Sequence, residues 1–497
     1  MELLSDSTVY MAYYTVAHFF QNGDMYGETP GSIRPEHMTQ EVWDYIFLKG
    51  PLPQDSAIPQ ATLEAMRAEF EFWYPFDLRV SGKDLIQNHL TFSLYNHVAV
   101  WGEDKDRLPR SFRCNGHLLL NSEKMSKSTG NFKTLSDAIA EYSADAMRWA
   151  LADAGDALDD ANFETSTANA AILRITKELA WTEEVLAPDA GLREGPADTV
   201  QDRVFANEIA IAVHRAKEAY DRLLFREALK AAAYDLGNAR DVYRFSCGPE
   251  GMHRGLLQRY VEMSTLMLVP ITPHTCEHVW GKMLKKEGSV LTAGWPQCEE
   301  PDFVLQRAAA YIESTIASWR KLIAKVEAPP KKKKAADPPP PKVTHGEVFV
   351  AERFGGWQEV ALRALAGGFD GGAKQFSADV YNAVQEAIKG AAGAGVDAAL
   401  EGLNDKQLKA LTMPFVKFKV DEALKGGPQV LDVKLPFDEQ QLLRDNTPYL
   451  LRALGISSLS IHAAGDAAAA AAAGADVAGA YPAAPVVVFS AAAPAGA

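Results

Sequence analysis

The sequence predicts a mixed fold, α/β segments flanking a long all-α stretch, and three observations predict it. Apolar runs at 76–80 and 118–120 each end in a polar, glycine-bearing turn, as buried strands of an open α/β sheet do. Between 164 and 326 the apolar residues recur at three and four, the helical period. A Pro/Lys-rich run at 327–344 then sets off a further region, 345–462, in which short apolar strands alternate with helical patterns.

With 497 residues the chain exceeds what one core usually supports, and about three domains are expected. A hydrophobic fraction of 47% with 23% charged residues is an ordinary water-soluble composition. The net charge of -15, from 50 Lys and Arg against 65 Asp and Glu, excludes general attraction to nucleic acid, so any RNA contact must come from local basic patches. Cys114, Cys247, Cys276 and Cys298 are widely separated and lack histidines at ligand spacing, which argues against a disulfide framework or a structural metal. Glu2 and Asp6 precede any apolar run, so no leader is expected, and no stretch reaches the roughly 18 apolar residues of a membrane span. The expectation is a cytosolic protein without membrane contact.

Taken in order, Leu3–Tyr14 is rich in aromatic residues, and Tyr10, Tyr13, Tyr14 and Val16 read as the core face of a helix. Residues 39–48 form a helix with Thr39 as N-cap and Glu41 favourable in the first turn. A second helix covers 61–74, its apolar face made by Leu63, Met66, Phe70 and Trp73 or Tyr74, and Pro75 ends it. Phe76–Val80 reads as a buried strand and Ser81–Asp84 as the turn after it. That turn is no Walker A loop, because the glycine required upstream is Asp77 and no Ser or Thr follows Lys83. A polar group at the carboxyl end of such a strand is nevertheless where ligands of open α/β sheets sit. His89 follows on a helix with Leu85, Phe92 and His97, where a satisfied core histidine is the plain reading.

Residues 116–132 read Gly-His-Leu-Leu-Leu-Asn-Ser-Glu-Lys-Met-Ser-Lys-Ser-Thr-Gly-Asn-Phe. On composition alone this is a strand end followed by a solvated turn. Chemically, Lys124 and Lys127 on a mobile loop suit a polyphosphate, since an ammonium on a flexible stem can follow charge developing on a leaving pyrophosphate. Ser126, Ser128 and Thr129 add hydroxyl donors. A helix spans 136–151, and an acidic turn with Asp153, Asp156, Asp159 and Asp160 leads to the helical bundle. Its stripes include Ile172, Ile175 and Leu179, then Ile209 and Val213, Leu224, Ala228 and Ala232, and Leu256, Tyr260, Met263 and Met267. Arg240, Arg244 and Arg254 read as a solvated face or as RNA contacts. Beyond 344, strands at 348–350 and 430–433 and helices at 376–390 and 439–454 indicate a small α/β domain. The Ala/Gly/Pro-rich tail, 463–497, reads as disordered or weakly helical.

Lys124-Met-Ser-Lys-Ser128 is, letter for letter, the KMSKS signature of class I aminoacyl-tRNA synthetases. The context Asn115–Phe132, Ser143–Arg148, Ala150–Gly155 and Met413–Val416 resembles the cytosolic leucyl-type enzymes of eukaryotes and archaea. The resemblance implies the later half of a Rossmann-type catalytic domain at 1–110, the KMSKS loop and connecting helices at 111–163, and an anticodon-binding-like, tRNA-binding helical bundle at 164–326. A linker at 327–344, a small α/β domain at 345–462 and the tail at 463–497 complete it. The activity implied is leucine–tRNA ligation, in which leucine is activated with ATP and Mg2+ and passed to tRNA(Leu). It makes Lys124 and Lys127 catalytic, gives Asp84, Met125, Ser126, Lys127 and Ser128 to ATP and Ser7, Tyr10 and His89 to leucine, and requires no metal ligand from the protein. None of the 11 histidines forms the family's His-x-Gly-His pattern, and no editing segment is found. These features make the missing amino-terminal half a candidate partner. They also keep open a non-catalytic tRNA-binding or partner-binding module, and a ligase for isoleucine, valine or methionine.

Overall fold

A computed structural model describes residues 7–102, 104–328 and 342–491. The chain divides into two compact units: 1–184 with 215–234 and 264–296, and 185–214 with 235–263 and 297–497. The helices of 164–326 are therefore shared between them.

The first unit opens with helices α1 (Tyr10–Tyr14), α2 (Gln40–Phe47) and α3 (Gln60–Trp73). Their core is Ala12, Val16, Val42, Ile46, Leu63, Met66, Phe70 and Tyr74, so the fourth position of the α3 stripe is Tyr74, while Trp73 is exposed. Tyr13 and Tyr14 are exposed as well, and the core face of α1 is made by Ala12 with Val16 just beyond it, not by the tyrosines. Thr39 stands at the N-cap of α2 as expected, although its side chain makes no cap bond to the backbone. Strand β1 (Arg79–Gly82) starts three residues later than the expected Phe76, and its Val80 is 65% exposed rather than buried. It pairs in parallel with β2 (Phe112–Asn115), while a turn of π-helix, Ile86–Leu90, leads into α4 (Thr91–Trp101).

Strands β3 (Leu118–Leu120), β4 (Glu123–Lys124) and β5 (Ala161–Phe163) form a second sheet in the order β4-β3-β5, with β3 antiparallel to β4 and parallel to β5. The single helix expected at 136–151 is two, α5 (Leu135–Tyr142) and α6 (Ala144–Ala154). They break at Ser143, whose φ of 69° no helix accommodates and whose hydroxyl caps the Ala146 N–H. Leu120, Tyr142, Trp149, Phe163, Leu229 and Ile271 form the core beneath this sheet. The helices that follow are α7 (Thr165–Leu186), α8 (Val200–Asp221), α9 (Phe225–Leu229), α10 (Leu236–Cys247), α11 (Arg254–Leu268), α12 (Pro273–His278) and α13 (Phe303–Val326). The expected stripe residues Ile209, Val213, Ala228, Ala232, Leu256, Tyr260 and Met267 are buried.

In the second unit, β6 (His345–Val350) is the central strand of a sheet, between β9 (Ser458–Ala463) and β10 (Val486–Ser490). Helices α14 (Gly356–Gly367), α15 (Val380–Gly393) and α16 (Asp405–Gly426), with the β7–β8 hairpin (Phe369–Asp370, Gln375–Phe376), build a core around Leu362, Val384 and Val416. Four sequence expectations change here. Residues 430–433 are no strand, because Pro428–Leu431 is a 3-10 turn. The helix expected at 439–454 is α17 (Glu439–Asp445) and α18 (Thr447–Leu454), parted at Asn446. The tail carries a helix, α19 (Ala467–Ala473), in line with the helical alternative, and also strand β10, which the expectation did not include. Of the expected linker, 329–341 lies outside the described residues, and Val343 is buried with its N–H donating to Glu327 Oε1 at 2.8 Å.

Candidate active site

The lysine segment is built as a hairpin. β3 carries Leu120 into the core, and the chain reverses at Asn121 and Ser122, both in the left-handed region (φ 50° and 67°). The Asn162 side chain on β5 holds this turn by accepting the Ser122 N–H at 2.7 Å. The return strand places Lys124 opposite Leu119 and Glu123 opposite Leu120. Lys124 is thus on a strand, not on the loop where the sequence suggests both lysines lie. Met125 is half-buried against the core beneath, which anchors the loop at its start. The loop closes through the Ser126 N–H donating to Asn131 O at 2.9 Å, the Ser126 and Ser128 hydroxyls at 2.8 Å, and Thr129 Oγ1 donating to Ser126 O at 3.2 Å. Asn131 Nδ2 makes three long contacts, at 3.3–3.4 Å, to the carbonyls of Leu120, Glu123 and Lys124.

Charge is distributed unevenly around this loop. Lys133 pairs with Glu141, and Lys83 Nζ donates to Asp160 Oδ1 at 2.6 Å. Lys124 and Lys127 are exposed and make no ion pair among the described residues. The pairing holds the Glu141 carboxyl below the usual carboxylate range, and the Lys83 hydrogen bond, with that of the His117 N–H, does the same for Asp160.

Asp84 stands in the 3-10 turn Lys83–Leu85 that follows β1. The turn faces the start of the hairpin: His117 Nε2 lies 3.8 Å from Asp84 Oδ1, and its Nδ1 lies 3.5 Å from Asp160 Oδ1. The His117 N–H donates to the same Asp160 oxygen at 2.9 Å. Gly116 permits this approach, since a Cβ there would sit 2.1 Å from the Asp159 carbonyl oxygen and 2.8 Å from the Asp160 nitrogen.

Ser7 and His89 also meet. His89 is 6% exposed, and its Nε2 lies 2.8 Å from Ser7 Oγ and 3.0 Å from Ser7 O. A carbonyl only accepts, so Nε2 carries the proton and Nδ1, which is buried and has no partner, presents a lone pair. α4 secures the same segment, with Ser93 Oγ donating to Thr8 O at 3.0 Å and Asn96 Nδ2 to Thr8 Oγ1 at 2.6 Å. Tyr10 packs elsewhere, edge-on to Tyr14 at 5.0 Å and under the Arg79 guanidinium at 5.9 Å.

Comparison with known proteins gives this geometry its context. Residues 63–169 match the family described as the tRNA synthetases class I (C) catalytic domain, and residues 202–337 match the anticodon-binding domain of tRNA ligase. The chain is 50% identical over 472 residues, 94% of its length, to the cytoplasmic leucine–tRNA ligase of Arabidopsis thaliana. It is 42% identical over 471 residues to that of Pongo abelii and 33% identical over 465 residues to the leucine–tRNA ligase of Aeropyrum pernix. The chain belongs to the leucyl-tRNA synthetase family. It spans 42%, 39% and 43% of the lengths of these three relatives.

Within this synthetase sequence, Asp84 and the lysine hairpin lie in the stretch matching the class I catalytic domain, whereas Ser7 and Tyr10 precede that stretch. His117, Asp160 and Lys83, which were not among the sequence candidates, cluster beside Asp84. Gly116-His117 and the acidic turn were visible as sequence, but the contact between them spans 43 residues and has no local signature. Of the three arginines singled out in the region matching the anticodon-binding domain, Arg244 is exposed, as a solvated face requires, whereas Arg240 and Arg254 are largely covered. Arg240 lies over the Tyr260 ring at 5.4 Å, Arg254 donates to Glu194 at 3.0 Å and to the carbonyls of Ala187 and Pro188, and Arg244 pairs with Asp241 at 3.3 Å. No helix among the described residues is long and apolar enough to cross a membrane.

Proposed function

We propose that this chain carries the pyrophosphate-handling and tRNA-binding parts of a leucine–tRNA ligase acting in cytosolic translation. The observation that carries the proposal is the pair of uncommitted ammonium groups at Lys124 and Lys127, on a hairpin held by neutral hydrogen bonds and set in a class I catalytic match. The substrate is MgATP. Lys127 and Lys124 neutralise charge on the leaving pyrophosphate, while the Ser126 and Ser128 hydroxyls and the Met125 backbone hold the nucleotide above them. Asp84 accepts from the ribose hydroxyls. Ser7, Tyr10 and His89 shape the leucine pocket, with His89 acting through the Ser7 segment that it orders. In this reading 1–110 is the later half of a Rossmann-type catalytic domain, 111–163 bears the signature loop and 164–326 grips tRNA(Leu).

Covalent work for the protein is slight, so catalysis rests on positioning and on electrostatic stabilisation. Removing one such contact costs about 100- to 1,000-fold in rate. The test is leucine-dependent ATP–pyrophosphate exchange, by the chain alone and mixed with the His-x-Gly-His-bearing portion of a full-length relative. Lys127→Ala should lower the exchange rate by that factor and leave leucine affinity unchanged. An unchanged rate in the variant would sink the assignment.

A further inference from the structure

Asp160 touches both halves of the proposed nucleotide site. Its Oδ1 takes Lys83 Nζ at 2.6 Å from the turn that carries Asp84, and the His117 N–H at 2.9 Å from the residue that precedes β3. Lys83 Nζ donates in addition to Leu158 O at 3.1 Å, so the lysine is fixed at two points on the acidic turn. The His117 ring stands between the two carboxylates, 3.5 Å from Asp160 and 3.8 Å from Asp84. The acidic turn itself is seated by close backbone packing, with the Gly116 N–H donating to Ala157 O at 3.1 Å and no room for a side chain at 116. An exposed ion pair alone would contribute little to stability. This one is joined by a charge-assisted backbone bond and a ring placed to reach the neighbouring carboxylate, and its effect is geometric.

We propose that Asp160 is a positioning residue for ribose recognition, fixing Asp84 relative to the lysine hairpin through Lys83 on one side and His117 on the other. This rests on the reading of Asp84 as the ribose-facing carboxylate. With Asp160 in place, Asp84 and β3 move as one body. Without it, the Lys83–Leu85 turn and the hairpin lose their shared support, and Asp84 no longer meets the ribose hydroxyls while the phosphates are held.

The test compares the affinities of ATP and 2′,3′-dideoxy-ATP for the full chain and for Asp84→Asn, Asp160→Asn, Asp160→Glu and Lys127→Ala, with hydrogen exchange of the ligand-free proteins alongside. Asp160→Asn should lose the preference for ATP over the dideoxy analogue by about tenfold, the worth of one charge-assisted hydrogen bond, and Asp160→Glu should restore most of it. In Asp84→Asn/Asp160→Asn the loss should not exceed that of Asp84→Asn alone. Amide exchange should quicken in both 82–90 and 116–125 in Asp160→Asn. A merely structural role would weaken both nucleotides equally and leave the preference intact, and that result overturns the proposal. If Asp84→Asn abolishes the preference and Asp160→Asn does not, the positioning role alone fails. If neither Asp84→Asn nor Lys127→Ala alters nucleotide binding, the nucleotide-site reading beneath it fails.

Discussion

Asp202 opens the stretch matching the anticodon-binding domain, and replacing it should be among the most damaging single changes in the second unit. Its side chain is fully buried. Arg193 Nη2 donates to both carboxylate oxygens at 2.6 Å, Tyr243 donates its hydroxyl at 2.5 Å, and the Thr199 N–H donates at 3.2 Å. The Tyr243 hydroxyl in turn accepts the His253 N–H at 3.0 Å, so one carboxylate organises residues 193–203 and 243–253 together. Breaking a buried pair by removing one partner costs about 3–5 kcal/mol, because the other charge is left behind. Arg193 is 21% exposed and can recruit some water, which puts Asp202→Ala near the lower end, about 3 kcal/mol.

Burial by itself would raise the Asp202 carboxyl, but the bonds from Tyr243, Arg193 and Thr199 outweigh it and hold the group below its ordinary value. A folded pKa below the unfolded one means that this stabilisation is complete above the unfolded value of about 3.8 and is lost only as pH falls through the folded value, so pH 7 reads all of it. At a slope of about 3 kcal/mol per molar urea, the unfolding midpoint should drop by about 1 M. Where exchange follows global opening, amides in 193–203 and 243–253 should exchange roughly 100-fold faster. In a double-mutant cycle with Arg193→Ala, the coupling energy should exceed about 1.5 kcal/mol. A midpoint within about 0.3 M of wild type, or strictly additive single substitutions, would refute the reasoning.

Three further outcomes are expected. His97 is fully buried, its Nδ1 donates to Ser93 O at 2.6 Å and its Nε2 accepts from the Tyr74 hydroxyl, while burial holds its pKa below the ordinary 6.5. The unfolded chain therefore takes up this proton first, so stability present above pH 6.5 should fall as pH drops toward 5, and urea midpoints at pH 7.5 and 5.5 should converge in His97→Gln. Gly116→Ala forces a Cβ into the backbone of Asp159 and Asp160 and should cost about 2 kcal/mol or more, read as a lower melting temperature, with pyrophosphate exchange falling in parallel. Burial pushes the Cys276 thiol up to about 12, so native protein at pH 8 should resist iodoacetamide at Cys276, and labelling there should appear only on addition of denaturant.

How much of this was legible depended on whether the cause was local. The α3 stripe was readable because Leu63, Met66 and Phe70 share one face at helical spacing, and the end at Pro75 follows from proline chemistry. The lysine segment was readable because five consecutive letters carried it. The break at Ser143 was not, since the apolar pattern runs on through a residue that caps the next helix. Strand β10 had a signal that the alanine-rich surroundings masked: Val486–Phe489 is a β-branched and aromatic run, and its pairing partner β6 lies well over 100 residues earlier. The tyrosines of α1 misled for a different reason. A five-residue helix cannot bury three large rings and also Val16, and the smaller residues took the core. Asp160 shows the hardest class, a partner 77 residues from Lys83, whose choice is made by the sheet that brings β3 and β5 together.

That sheet also explains why the two signature lysines are available at all. In a chain with 15 more acids than bases, a lysine has no shortage of carboxylates to meet, and Lys83 and Lys133 each have one. Such exposed pairs contribute less than about 1 kcal/mol, so pairing at Lys127 would scarcely weaken a polyphosphate's hold. What pairing would change is position. An ammonium tied to a carboxylate starts in the wrong place, and misplacement by about 1 Å can cost 100-fold in a reaction that depends on geometry. The hairpin avoids this by using only neutral bonds for its closure: a backbone bridge from Ser126 to Asn131, the hydroxyls of Ser126, Ser128 and Thr129, and an asparagine amide spread over three carbonyls. Order in the loop is thereby separated from its charge, and the two ammonium groups make no ion pair among the described residues.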